Sequence, residues 1–237
     1  MAIRANRPDN GAGDEKDPRA TKERILDAAE ALFARQGFSA TSLRNVIADA
    51  GVNLAAVHYH YGSKDELIRA VFGRRFDPVN RERLALLDDL QERHRDRSIP
   101  IENILELLML PVMKAAREQA DGWSVIATLV GRVHTEPELA IRQIFYEQFD
   151  EVGERFVEAL HQQLPHLPRE ELFYRFHFAI AAMAASLVHP DEVKLLSKGR
   201  IDPNADTALF VRRWVTFVAA GLRAPAIDTS SRDEDER

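Results

Sequence analysis

The stretch from Phe38 to Lys64 constrains the fold more than any other part of the chain. Leu43, Val46, Ile47 and Ala50 follow one another at spacings of three, one and three, which holds them on one stripe of a short helix. Gly51 ends that helix, and Thr41 or Ser42 offers a hydroxyl to the N–H groups of its first turn. Asn53 offers the same cap to a second helix running from Leu54 to His60, so the turn between the two is only Gly51-Val52-Asn53. Two short helices joined by a three-residue turn containing glycine predict a DNA-binding helix-turn-helix, whose second helix enters the major groove. That second helix is about 10 Å long, and the groove is about 12 Å wide.

The same residues carry a family resemblance. The run from Thr41 through Leu43, Arg44, Val46 and Ile47 to Gly51 and Val52, followed by Tyr59-His60-Tyr61-Gly62-Ser63-Lys64-Asp65-Glu66-Leu67, resembles the amino-terminal domain of the TetR family of bacterial transcriptional repressors. The likeness extends upstream to about Thr21 and covers roughly a quarter of the chain. It implies that Thr41 or Ser42, together with Lys64, hold phosphates, and that the face bearing Asn53, Leu54, Ala55, His58 and Tyr59 meets the groove. Arg44 reaches a guanine or a phosphate, or is a surface helix former. Many members carry Tyr where this chain has His58, followed by a variable residue; here Tyr59 follows, which leaves the backbone contact to either His58 or Tyr59. Val57, His60 and Tyr61 share the inward side and are expected to seat the helix. His58 and His60, two apart, diverge on a helix and make no metal pair.

Charge is polarised along the chain. Of the formal −6, residues 1–17 hold three basic and four acidic groups, residues 18–75 nine and six, and residues 76–237 twenty and twenty-eight. A weakly basic head on an acidic body suits a reader of double-stranded DNA whose body stays off the phosphates; ordinary scatter of solvated charge gives the same totals. There is no cysteine, which excludes disulfides, thiol sensing and cysteine-based zinc sites. With no signal-like apolar run at the start and no long uninterrupted apolar segment, a cytoplasmic protein without membrane association is expected.

The remainder predicts an all-α chain, with a disordered arm at 1–16, a helix-turn-helix domain at 17–62, a helical effector-binding and dimerisation domain at 63–223, and a disordered tail at 224–237. Asp17 and Pro18 open the first helix, whose Ile25, Leu26, Ala29, Leu32 and Phe33 face inward and which Gly37 closes. Ser63 to Glu66 reads as a capping box opening a long helix to about Glu92, the one evident mechanical link between the domains. Pro111 is expected to kink or break the helix from Pro100 to about Gln119. A helix from Trp123 is expected to stop at Gly131, and Thr135 to Glu138 to cap a helix carrying Phe145, Phe149, Val152, Phe156 and Leu160.

Helices with Leu105, Leu108, Met109, Trp123, Ile126, Phe145 and Phe149 supply walls for an effector cavity, although the same spacings serve a solid core. The helix from Arg169 to His189 is apolar around most of its circumference, and another, expected to start at Asp202-Pro203, ends at Gly221. Phe176, Ile180 and Leu187 on the first and Phe210, Trp214 and Phe217 on the second are expected to form a homodimer seam; packing inside one protomer is the alternative. The segment Gly131 to Pro137 and the later run around Leu164 to Phe178 resemble the fatty-acid-responsive branch of the TetR family. This resemblance implies a long-chain fatty acid or its coenzyme A thioester as effector, its anionic end facing Arg132 or Arg142.

No paired-carboxylate, nucleophile-elbow, phosphate-loop or His-Glu-x-x-His pattern is present, so neither an enzyme nor a cofactor or metal is expected. The reading is a homodimeric repressor released from a palindromic operator by a small apolar effector. The alternative is an adaptor of the same fold that acts through a protein partner.

Overall fold

The computed structural model describes residues 18–95, 97–117 and 125–226, and among these every regular element is an α-helix. The expectations for Asp17, Trp123, the amino-terminal arm and the tail beyond residue 226 lie outside the described residues.

Three helices form the head. Helix α1 (Pro18–Gln36) buries Ile25, Ala29 and Phe33, and it packs against α2 (Leu43–Ala50) and α3 (Leu54–Tyr61). Gly37 and Gly51 adopt positive φ (88° and 62°), the left-handed conformation that lets the chain leave a helix sharply. Phe38 then folds back to full burial, its ring 5.1 Å from Phe33 and 5.2 Å from Phe72.

Helix α4 (Lys64–Arg93) runs from the head into the body and remains one helix past Pro78. Around it stand α5 (Ile101–Arg117), α6 (Val125–Thr135), α7 (Leu139–Glu147), α8 (Asp150–Gln163), α9 (Arg169–Val188), the one-turn α10 (Glu192–Leu196) and α11 (Thr207–Arg223). By length and composition α9 could cross a membrane; it packs instead against α6, α8 and α11. Arg175 of α9 donates to the carbonyls of Gly221, Leu222, Ala224 and Pro225, so one guanidinium caps the end of α11 and fastens the two helices together.

Several sequence expectations are corrected. Helix α5 continues through Pro111, and Gly131 lies inside α6 rather than after it. A Cβ on Gly131 would stand 3.1 Å from Val188, so the glycine serves the close approach of α6 and α9. Thr135 returns its hydroxyl to Gly131 and Arg132 and caps nothing; α7 starts at Leu139 without a side-chain cap, and Gln148-Phe149 separates it from α8. Helix α11 starts at Thr207, where Asp206 accepts from the Leu209 N–H, and extends past Gly221 to Arg223.

Candidate nucleic-acid interface and effector cavity

The turn that presents α3 is fixed by short-range chemistry. Ser42 accepts from the Asn45 N–H while Asn45 Oδ1 accepts from the Ser42 N–H at 3.0 Å, a reciprocal pair that satisfies both ends of the first turn of α2. Asn53 Oδ1 accepts from the Ala56 N–H at 2.8 Å, and Ser63 Oγ from the Glu66 N–H at 3.1 Å. Val57 and Tyr61 turn inward; the Tyr61 hydroxyl donates to the Lys22 carbonyl at 3.0 Å. Burial, with Glu23 and Asp27 adding and Arg74 opposing, pushes the Tyr61 phenol up to about 12. His60 is half-buried between Tyr59 and Tyr61.

The opposite side of α3 faces outward. Asn53, Ala55 and His58 are exposed, and Leu54 and Tyr59 keep 52% and 82% of their surface open. His58 Nδ1 lies 2.7 Å from the Gly62 carbonyl, which can only accept, so Nδ1 carries the proton and Nε2 is presented outward. Among the described residues the Tyr59 hydroxyl has no such tether. Arg44 is exposed on α2, and Lys64 is half-exposed at the start of α4. Thr41 is corrected: it is 1% exposed, donates to the Gly37 carbonyl at 2.7 Å and accepts from Gln36, so its hydroxyl is turned away from any phosphate.

Between α4, α5, α6, α7, α8 and α9 lies a cavity of about 470 Å³. Of the expected walls, Leu108, Phe145 and Phe149 line it, whereas Leu105, Met109 and Ile126 are core residues that do not reach it. Three side chains expected at a dimer seam, Phe176, Ile180 and Leu187, line this cavity instead. Trp214 is 6% exposed and Phe210 packs half-buried on the core, so of that set Phe217, at 73%, is the one left open. The open apolar groups of these helices are Phe173, Tyr174 and Phe178 on α9 and Leu209 and Phe217 on α11, a face that periodicity alone could not separate from the inward one.

Neither arginine expected at the anionic end of a ligand faces the cavity. Arg132 donates to the carbonyls of Ala34 and Arg35 at the end of α1, at 3.0 and 2.6 Å, and Arg142 is absent from the cavity wall. The sequence reading missed Arg83, which lines the cavity at 2% exposure. Burial pulls its guanidinium down to about 10, with Glu82 opposing, so it stays charged at neutral pH.

Among the described residues two connections run between cavity and head, besides the ion pair of Arg69 on α4 with Glu147 on α7. The first is aromatic: Phe149 and Phe145 on the cavity wall meet Phe76 and Phe72 of α4 at 5.2 to 5.5 Å, and Phe72 meets Phe38. The second runs through α6, whose Arg132 grips the end of α1, and through the Glu136 that follows it, which accepts from the Ser39 hydroxyl. The sequence had offered α4 as the one evident link. Its ion pairs reinforce it, Arg74 with Glu23 and Asp27 at 2.6 Å each and Arg75 with the buried Glu30.

Comparison with known proteins follows this division. Residues 25–71 match the family described as bacterial regulatory proteins, tetR family, and residues 106–221 match the tetracyclin repressor-like C-terminal domain. The transcriptional regulator SrpR of Pseudomonas putida is 28% identical over 147 residues, 62% of this chain and 60% of that protein. A transcriptional repressor of Mycobacterium tuberculosis is 49% identical over 47 residues, 20% of this chain and 25% of its own length. The chain thus spans no more than 60% of the length of these relatives. The fatty acid degradation regulator FadR of Bacillus halodurans has the same fold, with a TM-score of 0.55 at 14% identity, covering 88% of this chain and 98% of that one. These families and relatives are transcription regulators rather than enzymes.

Proposed function

The chain belongs to the TetR family of bacterial regulatory proteins, and on that premise we propose that it is a homodimeric repressor, released from a palindromic operator when a small, largely apolar molecule fills the cavity. The observation that carries the reading is the outward face of α3: a helix capped at Asn53 and seated by Val57 and Tyr61 holds Leu54, His58 and Tyr59 open to solvent. On this reading Ser42, Arg44 and Lys64 meet phosphates or base edges around that face, and Tyr59, free of the tether that holds His58, takes the backbone contact. Thr41 acts from inside, by fixing the loop before α2.

A second copy packs on the open apolar groups of α9 and α11, and its twofold axis calls for half-sites about 34–36 Å apart or a multiple of that. Residues 17–62 form the DNA-reading domain and 63–223 the effector and dimerisation domain. A ligand against Phe145 and Phe149 tilts α4 through Phe72 and Phe76 and shifts α6, changing the separation of the two recognition helices. To carry the dimer from 1:99 to 99:1 released, it must prefer the released form by about 5.5 kcal/mol. A fatty acid or its thioester suits the apolar walls, in line with the fatty acid degradation regulator that shares the fold.

The adaptor alternative calls for a solid body, and a cavity of about 470 Å³ speaks against it. The test is binding of labelled operator DNA, selected with the purified protein, to the parent and to Tyr59→Ala and Arg44→Ala. Both variants are expected to fold and to bind more weakly. Retention of full affinity by both would remove the α3 face from the DNA contact.

A further inference from the structure

The cavity wall is mostly apolar and aromatic; His134, Asp150, Glu154 and His177 stand on it where it is exposed, and α4 places one buried charge in it. Arg83 has five N–H donors. Nε donates to the Leu108 carbonyl at 2.9 Å, beside the turn that Pro111 deprives of a donor, and Nη1 donates to Asn80 Oδ1 at 3.1 Å. Among the described residues Nη2 has only the thioether of Met183, at 3.8 Å. Asn80 is itself held, donating to the Gln148 carbonyl at 2.8 Å, so the guanidinium is fixed in orientation by neutral groups. Among the described residues no carboxylate pairs with it: Glu82, next along the helix, points to solvent, and Asp150 and Glu154 stay exposed at the rim.

A buried, oriented and unneutralised guanidinium is costly to keep, and a carboxylate entering the cavity would supply both the missing charge and two acceptors in the geometry that a guanidinium fork recognises. We infer that the cavity takes a small organic acid, an apolar body ending in one free carboxylate, with the carboxylate seated on Nη2 of Arg83 and the body among Phe145, Phe149, Phe176 and Ile180. This rests on the effector reading above and narrows it. A thioester has a neutral carbonyl where the acid has its charge, so the free acid is the species bound. Arg83 thereby takes the place expected of Arg132 or Arg142.

The test is calorimetric titration of the full chain with decanoate and 2-naphthoate and with the methyl ester of each, in the parent, Arg83→Met and Arg83→Lys. The parent is expected to bind at least one acid about tenfold or more tighter than its ester. Arg83→Met is expected to lose that preference while still binding the ester, and Arg83→Lys to keep part of it. If Arg83 serves only to patch the Pro111 turn, both variants lower the melting temperature and the parent does not distinguish acid from ester; that result overturns the assignment. A preference that survives in folded Arg83→Met overturns it as well, and should Arg83→Met not fold, Arg83→Lys with an undiminished preference does the same. Operator binding followed in the same samples separates the two layers of the argument. Acid preference with unchanged DNA affinity keeps the anchor and rejects release by this ligand, whereas DNA release by ester and acid alike keeps the effector reading and rejects the anchor.

Discussion

The head and the body of this molecule solve opposite problems. In the head, Ile25, Ala29, Phe33, Phe38 and Val57 are all fully buried in a small three-helix core, and the polar groups buried with them, Thr41 and Glu30, are hydrogen-bonded to the Gly37 carbonyl and ion-paired with Arg75, respectively. In the body, the helices line a cavity of about 470 Å³ and keep a charged side chain on its wall. Close packing is worth stability, and a cavity forgoes it by the dispersion contacts its lining lacks. The difference teaches where each part acts: the head works from its outside and must hold α3 rigid, while the body works from its inside and holds space for something else to fill.

The sharpest way to break this contrast is at the residue the two regions share. Phe72 has no exposed surface and touches both Phe38 of the head and Phe145 of the cavity wall, so Phe72→Ala is expected to cost about 3–5 kcal/mol of stability, read by chemical denaturation. A loss below about 1 kcal/mol would mean that head and body are not packed through α4. On the outer face of the head the effect belongs to binding alone. Arg44→Ala is expected to weaken operator affinity by about 1–3 kcal/mol if Arg44 reads a base, whereas Lys64→Ala lowers the salt dependence of binding by about one phosphate contact. Neither is expected to move the melting temperature by more than about 2 °C, because both side chains are exposed or nearly so.

Inside the body the expectation reverses. Ala184 is buried on the cavity wall, and Ala184→Leu is expected to fill space, shift stability by no more than about 1 kcal/mol and blunt the response of DNA binding to ligand. Full ligand response in that variant would place the effector elsewhere. Glu136→Gln weakens the contact to Ser39 and is expected to cost about 1 kcal/mol, with a smaller ligand effect on the operator than in the parent. The smallest effect is a titration. Tyr61 titrates near 10 when unfolded and at about 12 when folded, so its contribution is fully present below pH 10 and is lost as pH rises from 10 towards 12. Tyr61→Phe should flatten that part of the alkaline stability curve; an unchanged slope would mean that burial does not keep the phenol protonated.

The same contrast explains what could be read from the residues. The head was legible because its decisions are local. Gly37, Gly51, Ser42, Asn53 and Ser63 each act within four residues of themselves, and the helix boundaries they mark were placed correctly. Thr41 misled because its hydroxyl found the Gly37 carbonyl, one turn back, before any outside partner. In the body the decisions are made between helices. Gly131 looked like a stop and instead admits Val188, and Pro111, which promised a kink or a break, lies inside a helix that runs on past it. Phe176, Ile180 and Leu187 have the spacing of an interface, but α9 is apolar on nearly every side, and only packing assigns one side to the cavity and the other, with Phe178, to the surface. Arg83 had no sequence signal beyond a charge among the apolar positions of α4, flanked by Val79 and Leu87, which are buried on the same helix. An arginine four residues from each of two core positions is the pattern that would have found it.

The central claim is that α3 reads DNA and that filling the cavity releases it. The most direct measurement is selection of bound fragments from genomic DNA by the purified protein at about physiological salt, with and without decanoate. The account predicts one enriched inverted repeat whose recovery falls when the acid is present. No enriched repeat at all, or one recovered equally with decanoate bound in the cavity, would contradict it.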